Sequence, residues 1–228
     1  MLSIYNFLKV KLCYRTYWKQ WLLSLIITLL FSFNSFGQAA MARQSGQTAK
    51  EYFESGREKY KNEDYYGAIA DYTKAIEIDL NYASAYALRG DPKRKLKDYY
   101  GAIADYTKAI EISPNYASAY RSRGSTKVYL EDYYGAIADF TKAIEIDPND
   151  SYAYNKRGEA KSYLEDYYGA IADYTKAIEL DPNYDYAYAS RANAKEELGD
   201  LNGACADWKE AARLGNTLAA EWVADQCN

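Results

Sequence analysis

The stretch DYYGAIADYTKAIEI, residues 64–78, decides the fold because the chain repeats it. It returns, with at most one substitution, at 98–112, 132–146 and 166–180, and a looser copy, DLNGACADWKEAARL, occupies 200–214. Every copy begins 34 residues after the one before it. A fixed period of this length predicts a repeat architecture, in which each period is one structural unit stacked on the next.

Each copy has the spacing of an amphipathic helix. Ile69, Tyr72 and Ile76 recur at i, i+3 and i+7, whereas Asp71 and Lys74 fall off that apolar stripe. Asp71 stands three residues before Lys74, a spacing that adds a small favourable charge pair. The sequence therefore predicts one helix with a buried face in every period.

The other half of each period predicts a second helix. The stretch YASAYRSRGSTKVYLE, residues 116–131, carries small residues at Ala117, Ala119 and Gly124, which let a neighbouring helix approach closely. Pro148 follows the next helix at a place where a helix cannot continue. Two helices per period form an antiparallel pair, and stacking such pairs buries the faces that a single pair leaves open. We expect an all-α solenoid.

This pattern resembles the tetratricopeptide repeat. The family's aromatic, glycine, alanine, aromatic, alanine and proline correspond in the third unit to Tyr120, Gly124, Ala136, Phe140, Ala143 and Pro148, and in the fourth to Tyr154, Gly158, Ala170, Tyr174, Ala177 and Pro182. The resemblance implies a right-handed superhelical solenoid of antiparallel helix pairs. Its five units would be 49–82, 83–116, 117–150, 151–184 and 185–218.

The C-terminal end predicts a capping helix over 219–228. Trp222 lies 34 residues after Tyr188, so this segment continues the phase as the first helix of a unit that is not completed. Glu221 and Asp225 would give it a wet outer side. The stretch from Gly203 to Val223 is similar to Sel1-like repeats, and the repeated motif resembles cyanobacterial repeat proteins.

Four arginines depart from the family pattern, which usually has leucine there. Arg123 and Asp139 lie at about equal distances from the turn near Asp132, so an antiparallel pair of helices should bring them together. We predict four ion pairs within units: Arg89 with Asp105, Arg123 with Asp139, Arg157 with Asp173, and Arg191 with Asp207. The alternative is that these arginines contact a ligand.

Pro92 is a second departure. It falls inside the first helix of the second unit, where it removes an amide donor and its ring clashes with the preceding turn. We expect a kink or a restart of the helix there, with Asp91 as a candidate cap.

Residues 1–42 differ from the rest of the chain. A segment with four basic residues precedes the apolar run 21–33, and small residues follow it, which is the order of a secretory signal peptide. The run has 13 residues, fewer than the ~20 of a membrane span. We therefore predict that the protein is exported to the periplasm or to the outside of the cell. The alternatives are an uncleaved membrane anchor through 21–33 and a wrongly assigned start of the chain.

Of the three cysteines, Cys13 lies within residues 1–42, and the other two could form a disulfide. Cys205 and Cys227 lie nearly symmetrically about the turn near Asn216. An oxidising compartment favours a bond between them. Two buried reduced thiols are the alternative.

The composition argues against catalysis. The chain has no histidine, which removes the common acid and base of neutral pH and the usual nitrogen ligand of metals. No glycine-rich phosphate loop is present. We expect no catalytic residue, no cofactor and no metal.

The net charge argues against nucleic acid as a partner. The formal charge is −4, and removing 1–42 with its four basic residues makes it −8. An acidic domain binds phosphate backbones poorly. A nucleic-acid-binding helical repeat that uses Lys93, Arg94, Lys95 and Lys97 therefore remains only an alternative.

The family resemblance implies that the first helix of each unit lines a concave groove. Carried over by position, the candidate partner-binding residues are Lys50, Phe53, Arg57, Tyr60, Arg94, Arg121, Ser125, Tyr129, Asn155, Glu159, Tyr163 and Asn193. We predict a scaffold that binds a protein or peptide in this groove. A structural spacer in an envelope assembly is a further alternative, and the oligomeric state does not follow from the sequence.

Overall fold

The computed structural model describes residues 48–227, which contain eleven α-helices and no strand. The helices are α1 (Ala49–Lys61), α2 (Tyr65–Ile78), α3 (Ala83–Lys95), α4 (Tyr99–Ile112), α5 (Ala117–Tyr129), α6 (Tyr133–Ile146), α7 (Ser151–Tyr163), α8 (Tyr167–Leu180), α9 (Asp185–Glu197), α10 (Leu201–Arg213) and α11 (Thr217–Gln226). Each odd-numbered helix from α1 to α9 pairs with the next helix, and each pair packs on its neighbour in sequence. The expected all-α solenoid of helix pairs is confirmed.

The aspartate that opens each repeated stretch caps the second helix of its unit. Its carboxylate accepts a hydrogen bond from the glycine amide three residues later, at 2.9–3.0 Å in all five units. Such a cap satisfies one of the free amides at a helix start. The caps are Asp64, Asp98, Asp132, Asp166 and Asp200.

The residue before each cap turns the chain through a left-handed backbone. Glu131 of the third unit has φ of 60°, and the equivalent residues of the first, second and fourth units have φ of 60–64°. Gly199 holds the same place in the fifth unit, with φ of 79°. Non-glycine residues adopt this conformation only at a cost, so four of the five turns contain local strain.

A large ring from the second helix fills the space inside each pair. The ring of Tyr106 packs against Gly90 so closely that a Cβ on that glycine would lie 2.6 Å from it. The glycine therefore sets the distance between the two helices. The five rings are Tyr72, Tyr106, Phe140, Tyr174 and Trp208, all buried.

The predicted arginine–aspartate pairs are confirmed in all four units. Arg123 donates from Nε and Nη2 to the two carboxylate oxygens of Asp139, at 2.9 and 2.7 Å, and Lys127 lies 2.8 Å from the same carboxylate. Nη1 of Arg123 donates to Thr107 of the preceding unit at 3.0 Å. The other three pairs repeat this arrangement. Each arginine thus joins both helices of its own unit to the unit before it.

Within residues 48–227 no helix pair precedes the first unit, and its chemistry differs accordingly. Ser55 occupies the place of the arginine and donates to Asp71 at 2.6 Å, while Lys59 lies 2.7 Å from the same carboxylate. Burial disfavours the charge on Asp71, but the bonds from Lys59 and Ser55 outweigh it and hold the pKa of Asp71 below its usual value.

The expected restart of the helix at Pro92 is wrong, and a kink there stays a prediction. The helix α3 continues through Pro92 to Lys95, and the Pro92 carbonyl accepts the amide of Leu96 at 2.9 Å. Pro92 is fully buried, so packing stabilises the helix against the lost amide bond. Asp91 is not a cap; its carboxylate accepts a hydrogen bond from Tyr106 at 2.8 Å.

The last helix, α11, covers the C-terminal end of the stack of helix pairs. It begins at Thr217, two residues before the start expected from the sequence. Trp222 packs on Trp208 with ring centroids 5.6 Å apart. A disulfide joins Cys205 and Cys227, with Cα atoms 5.6 Å apart, and holds the end of α11 on α10.

The predicted signal peptide or anchor, 1–42, lies outside the described residues. Between residues 48 and 227, none of the helices has the length and apolar character needed to cross a membrane.

Candidate functional site

The first helices of the units lie on one face of the stack of helix pairs. We call these helices, α1, α3, α5, α7 and α9, the inner row. Neighbouring members of the inner row contact one another, whereas the second helices of adjacent described units lack comparable contact. The stack therefore curves with its inner row on the concave side. Side chains from several units can reach one ligand there.

Three adjoining cavities lie along the inner row. The first, of about 380 Å³, is lined by Arg94, Arg121, Ser122, Ser125 and Tyr152. The middle one, of about 280 Å³, is lined by Arg94, Ser125, Val128, Tyr129, Glu131, Tyr133, Tyr152, Lys156, Glu159 and Tyr163. The last, of about 350 Å³, is lined by Glu159, Ser162, Tyr163, Tyr167, Tyr174, Ser190, Asn193, Ala194 and Glu197. Shared residues connect them into one groove from the second unit to the fifth.

Two arginines dominate the first cavity. Arg121 donates from Nη1 to Asp150 at 2.8 Å, and its guanidinium lies 5.5 Å from the ring centre of Tyr152. Nε of Arg94 is buried, and no acceptor among the described protein atoms hydrogen-bonds to it. Arg94 thus carries one N–H donor, at Nε, that has no protein acceptor in the described part of the chain.

Asp91 lies beside these arginines and accepts from the Tyr106 hydroxyl. Burial raises the pKa of the Asp91 carboxyl, although the Tyr106 bond and the charges of Arg94 and Arg121 partly oppose the shift. Burial, with the adjacent Asp91 charge, also raises the pKa of Tyr106. The Tyr106 hydroxyl therefore stays protonated as a donor to Asp91.

Stacked tyrosines form the rim of the middle cavity. Tyr129 stacks on Tyr99 of the preceding unit with ring centroids 5.3 Å apart, and Tyr163 stacks on Tyr133 at 4.7 Å. Tyr129 and Tyr163 remain 60% and 55% exposed. Each stack holds one ring in place while the outer ring keeps a free face, which suits contact with a partner at low entropic cost.

The last cavity contains carboxylates and hydroxyls. Glu159 forms an ion pair of 2.6 Å with Lys156, while Glu197 is exposed. The Tyr174 hydroxyl lies 3.2 Å from Ser162, and burial raises the pKa of Tyr174 to about 12, partly offset by that bond. The groove therefore changes from arginine-lined to carboxylate-lined along its length.

The structure places seven of the twelve candidate groove residues on the cavity walls: Arg94, Arg121, Ser125, Tyr129, Glu159, Tyr163 and Asn193. Lys50, Arg57 and Tyr60 lie on α1 and line none of these three cavities. Phe53 and Asn155 do not present their side chains in the groove as expected. Phe53 is buried and stacks on Tyr82 at 4.9 Å, and Asn155 is only 5% exposed.

Sequence reasoning missed the sixth position of the units. Ser122, Lys156 and Ser190 hold this position in the third, fourth and fifth units, and all three line the cavities. They recur every 34 residues, so the period itself was the signal that could have identified them.

The groove positions vary between units. The contacts that hold each helix pair together and stack it on its neighbour, which we call the frame, do not. The ninth residue of the five units is Arg57, Asp91, Ser125, Glu159 and Asn193 in turn. The arginine–aspartate–threonine contacts, in contrast, are the same at four successive places. Three of these five residues, Ser125, Glu159 and Asn193, line the cavities, so some positions that a ligand would touch differ between units.

Residues 48–227 contain no group of three or more histidine, cysteine, aspartate or glutamate side chains arranged to hold a metal ion.

Family comparisons match the repeated units. Models described as tetratricopeptide repeat match residues 49–82, 117–150, 151–184 and 173–206, and one described as TPR repeat matches 90–129. A search of curated proteins found no significant match.

Solved structures of repeat proteins have the same fold. A crystal structure of MamA is 26% identical, with a TM-score of 0.67, and the match covers 79% of this chain and 96% of that one. YrrB, described as a TPR protein with an unusual peptide-binding site, is 19% identical with a TM-score of 0.67, covering 82% and 97%. PilF of Pseudomonas aeruginosa is 18% identical with a TM-score of 0.68, covering 73% and 76%.

Proposed function

We propose that this chain, which is a tetratricopeptide-repeat protein, is an interaction scaffold that binds an extended segment of a partner protein in the groove of the inner row. The single observation that carries the proposal is the run of three connected cavities from the second unit to the fifth. Pockets that share walls across several helices fit an extended chain better than one small compact molecule.

The distribution of variable residues supports the proposal. Contacts that stack the units are repeated, so they serve the fold, whereas residues such as Ser125, Glu159 and Asn193 differ at equivalent places on the cavity walls. YrrB is described as having a peptide-binding site, and that description agrees with this function for a chain of the same fold.

The alternative of nucleic-acid binding has less support. Of its four expected cations, Lys93 lies 2.7 Å from Asp105 and is committed to the frame. Arg94 lies in a cavity wall beside Asp91 rather than on an open basic surface. The proposal assigns no reaction to the chain.

Export remains part of the proposal, with a membrane anchor as the alternative. The basic, apolar and small segments of 1–42 support it. The Cys205–Cys227 disulfide is also the chemistry of an oxidising compartment. N-terminal sequencing of the native protein tests it: a start near residue 43 supports cleavage, and a start at Met1 contradicts it.

The groove is tested by selection from a random peptide library on the purified full-length chain. Selected peptides should lose about tenfold or more in affinity for the Tyr129→Ser, Tyr163→Ser double variant, because stacking rings of this kind dominate binding. The matched control is Tyr134→Ser with Tyr168→Ser, which removes two rings that are 76–77% exposed and line none of the three cavities. Equal losses in both variants, or failure to enrich any peptide, would contradict groove binding and favour the spacer.

A further inference from the structure

The unpartnered guanidinium nitrogen of Arg94 needs an explanation. Its Nε lies buried in the wall of the first cavity without an acceptor among the described protein atoms. Nearly all buried donors in proteins have a partner. A buried donor left without a partner destabilises the protein, and a charged donor does so more strongly. The Nε atom is itself shielded, whereas the Arg94 residue lines the cavity, so a ligand there would meet the other N–H donors of the guanidinium.

Other donors converge on the same space. Arg121, Ser122, Ser125 and Tyr152 line the cavity together with Arg94. Only one nitrogen of Arg121, Nη1, donates to Asp150, and a guanidinium has five N–H donors in a planar fork. Two guanidinium groups and three hydroxyls on one wall form a set that matches an oxygen anion.

The two carboxylates near the arginines already have their own partners. Asp91 accepts from the Tyr106 hydroxyl at 2.8 Å. Asp150 accepts from the Ala153 amide on one oxygen and from Arg121 on the other. They offset the charge of the arginines, so an anion would be held mainly by directed hydrogen bonds and less by net charge.

We infer that the first cavity is an oxyanion subsite, in which Arg94 and Arg121, with Ser122 and Ser125, hold a carboxylate or phosphate group of the bound segment. The inference deepens the proposed function, since it names the chemistry that the partner presents to the second and third units. Arg94 supplies a half-buried guanidinium on the cavity wall, and Arg121 supplies a more exposed one. The serine hydroxyls accept or donate as the protonation of the anion requires.

Arginine side-chain NMR tests the subsite without any knowledge of the partner. The Nε–H signal of Arg94 is followed while the full-length chain is titrated with three acetylated, amidated tripeptides: Gly-Glu-Gly, Gly-phosphoserine-Gly and Gly-Gln-Gly. Inorganic phosphate is a fourth probe. The signal of Arg213, whose side chain is exposed and paired with Glu210, is the internal control.

We expect the Arg94 signal to shift saturably with at least one anionic probe, while Gly-Gln-Gly has no effect and Arg213 changes only weakly. Stronger binding of the glutamate peptide identifies a carboxylate source, and stronger binding of the phosphoserine peptide identifies a phosphate source. Phosphate alone binding as well as the phosphopeptide indicates that the free anion suffices. An Arg94 signal that never saturates, or that follows Gly-Gln-Gly equally, overturns the inference.

Two variants make the result independent of misfolding. Arg121→Met should weaken anion binding about tenfold, the equivalent of one charge-assisted hydrogen bond. Asp91→Asn should strengthen it severalfold, because it removes a like charge and keeps an acceptor for Tyr106. An unchanged affinity in Asp91→Asn together with an unchanged affinity in Arg121→Met contradicts the subsite. Peptide selection in the groove could still succeed in that case, so the two failures are distinguishable.

Discussion

The guanidinium of Arg123 donates two parallel hydrogen bonds, of 2.9 and 2.7 Å, to the two carboxylate oxygens of Asp139 on the facing helix. The side chains are 17% and 5% exposed, so this ion pair is largely shielded from water. The remaining nitrogen reaches Thr107 in the preceding unit. One side chain therefore sets the register inside a unit and attaches that unit to its neighbour.

Arg123→Met should lower the free energy of unfolding by about 2–3 kcal/mol. This is somewhat less than the loss from breaking a fully buried pair, because Lys127 still compensates the charge of Asp139. Urea unfolding followed by circular dichroism measures it. Arg213→Met, which breaks an exposed pair with Glu210, is the control and should change little. Equal effects of the two substitutions would mean that the buried pair does not stabilise the stack.

Glu131→Gly should stabilise the protein by about 0.5–1 kcal/mol. The left-handed backbone, with φ of 60°, costs a glutamate about 1–2 kcal/mol, and glycine adopts it freely but loses more entropy on folding. Thermal unfolding measures the change. Glu131→Ala separates the backbone from the side chain and should give no such gain, whereas Gly199→Ala should destabilise the fifth unit. A gain with alanine equal to that with glycine would point to the charge instead.

Reducing the Cys205–Cys227 disulfide should destabilise the C-terminal end by about 3 kcal/mol, since the bond closes a loop of 22 residues. Fluorescence of Trp208 and Trp222, which are in contact, reports on this end. Thermal unfolding with and without reductant should differ. The Cys205→Ser, Cys227→Ser variant should melt like the reduced protein and ignore reductant. Thiol labelling should detect two additional thiols after reduction; detecting the same number before reduction contradicts the bond.

Stability should depend on pH through Asp91. Burial raises its pKa in the folded protein, against the opposing charges of Arg94, Arg121 and Lys95. The folded state then binds the proton more tightly than the unfolded chain, so stability rises as pH falls from 7 towards the unfolded pKa of about 4. Urea titrations of the wild type and Asp91→Asn measure this. The wild type should gain stability relative to the variant over that range, and a constant difference would contradict a raised pKa.

The period predicted most of the frame because each frame contact is repeated. Arg123 and Asp139 could be paired from the sequence, since both lie at similar distances from one turn. The bond from Arg123 to Thr107 was not predicted, because it depends on how adjacent pairs are stacked, and spacing within a unit does not determine that.

The groove was less predictable than the frame. Family position alone placed Phe53 and Asn155 on its surface, yet the packing of Tyr82 on Phe53 buries the first, and the second is buried as well. The continuation of α3 through Pro92 was also missed, since the stabilising burial of that ring comes from tertiary contacts. The meeting of Arg94 with Arg121 depends on the superhelical curvature, which local sequence patterns do not specify.

The arginine contacts also bear on how such a chain can change length. Every middle unit carries its own arginine and aspartate and offers a threonine to the unit that follows. An in-frame duplication of residues 117–150 would therefore bring a complete set of junction contacts with it, and would extend the concave surface by one unit without any new interface having to evolve. This growth would have to stop at two places. One is the first unit, which has Ser55 in place of the arginine, and the other is the last unit, which a disulfide joins to α11.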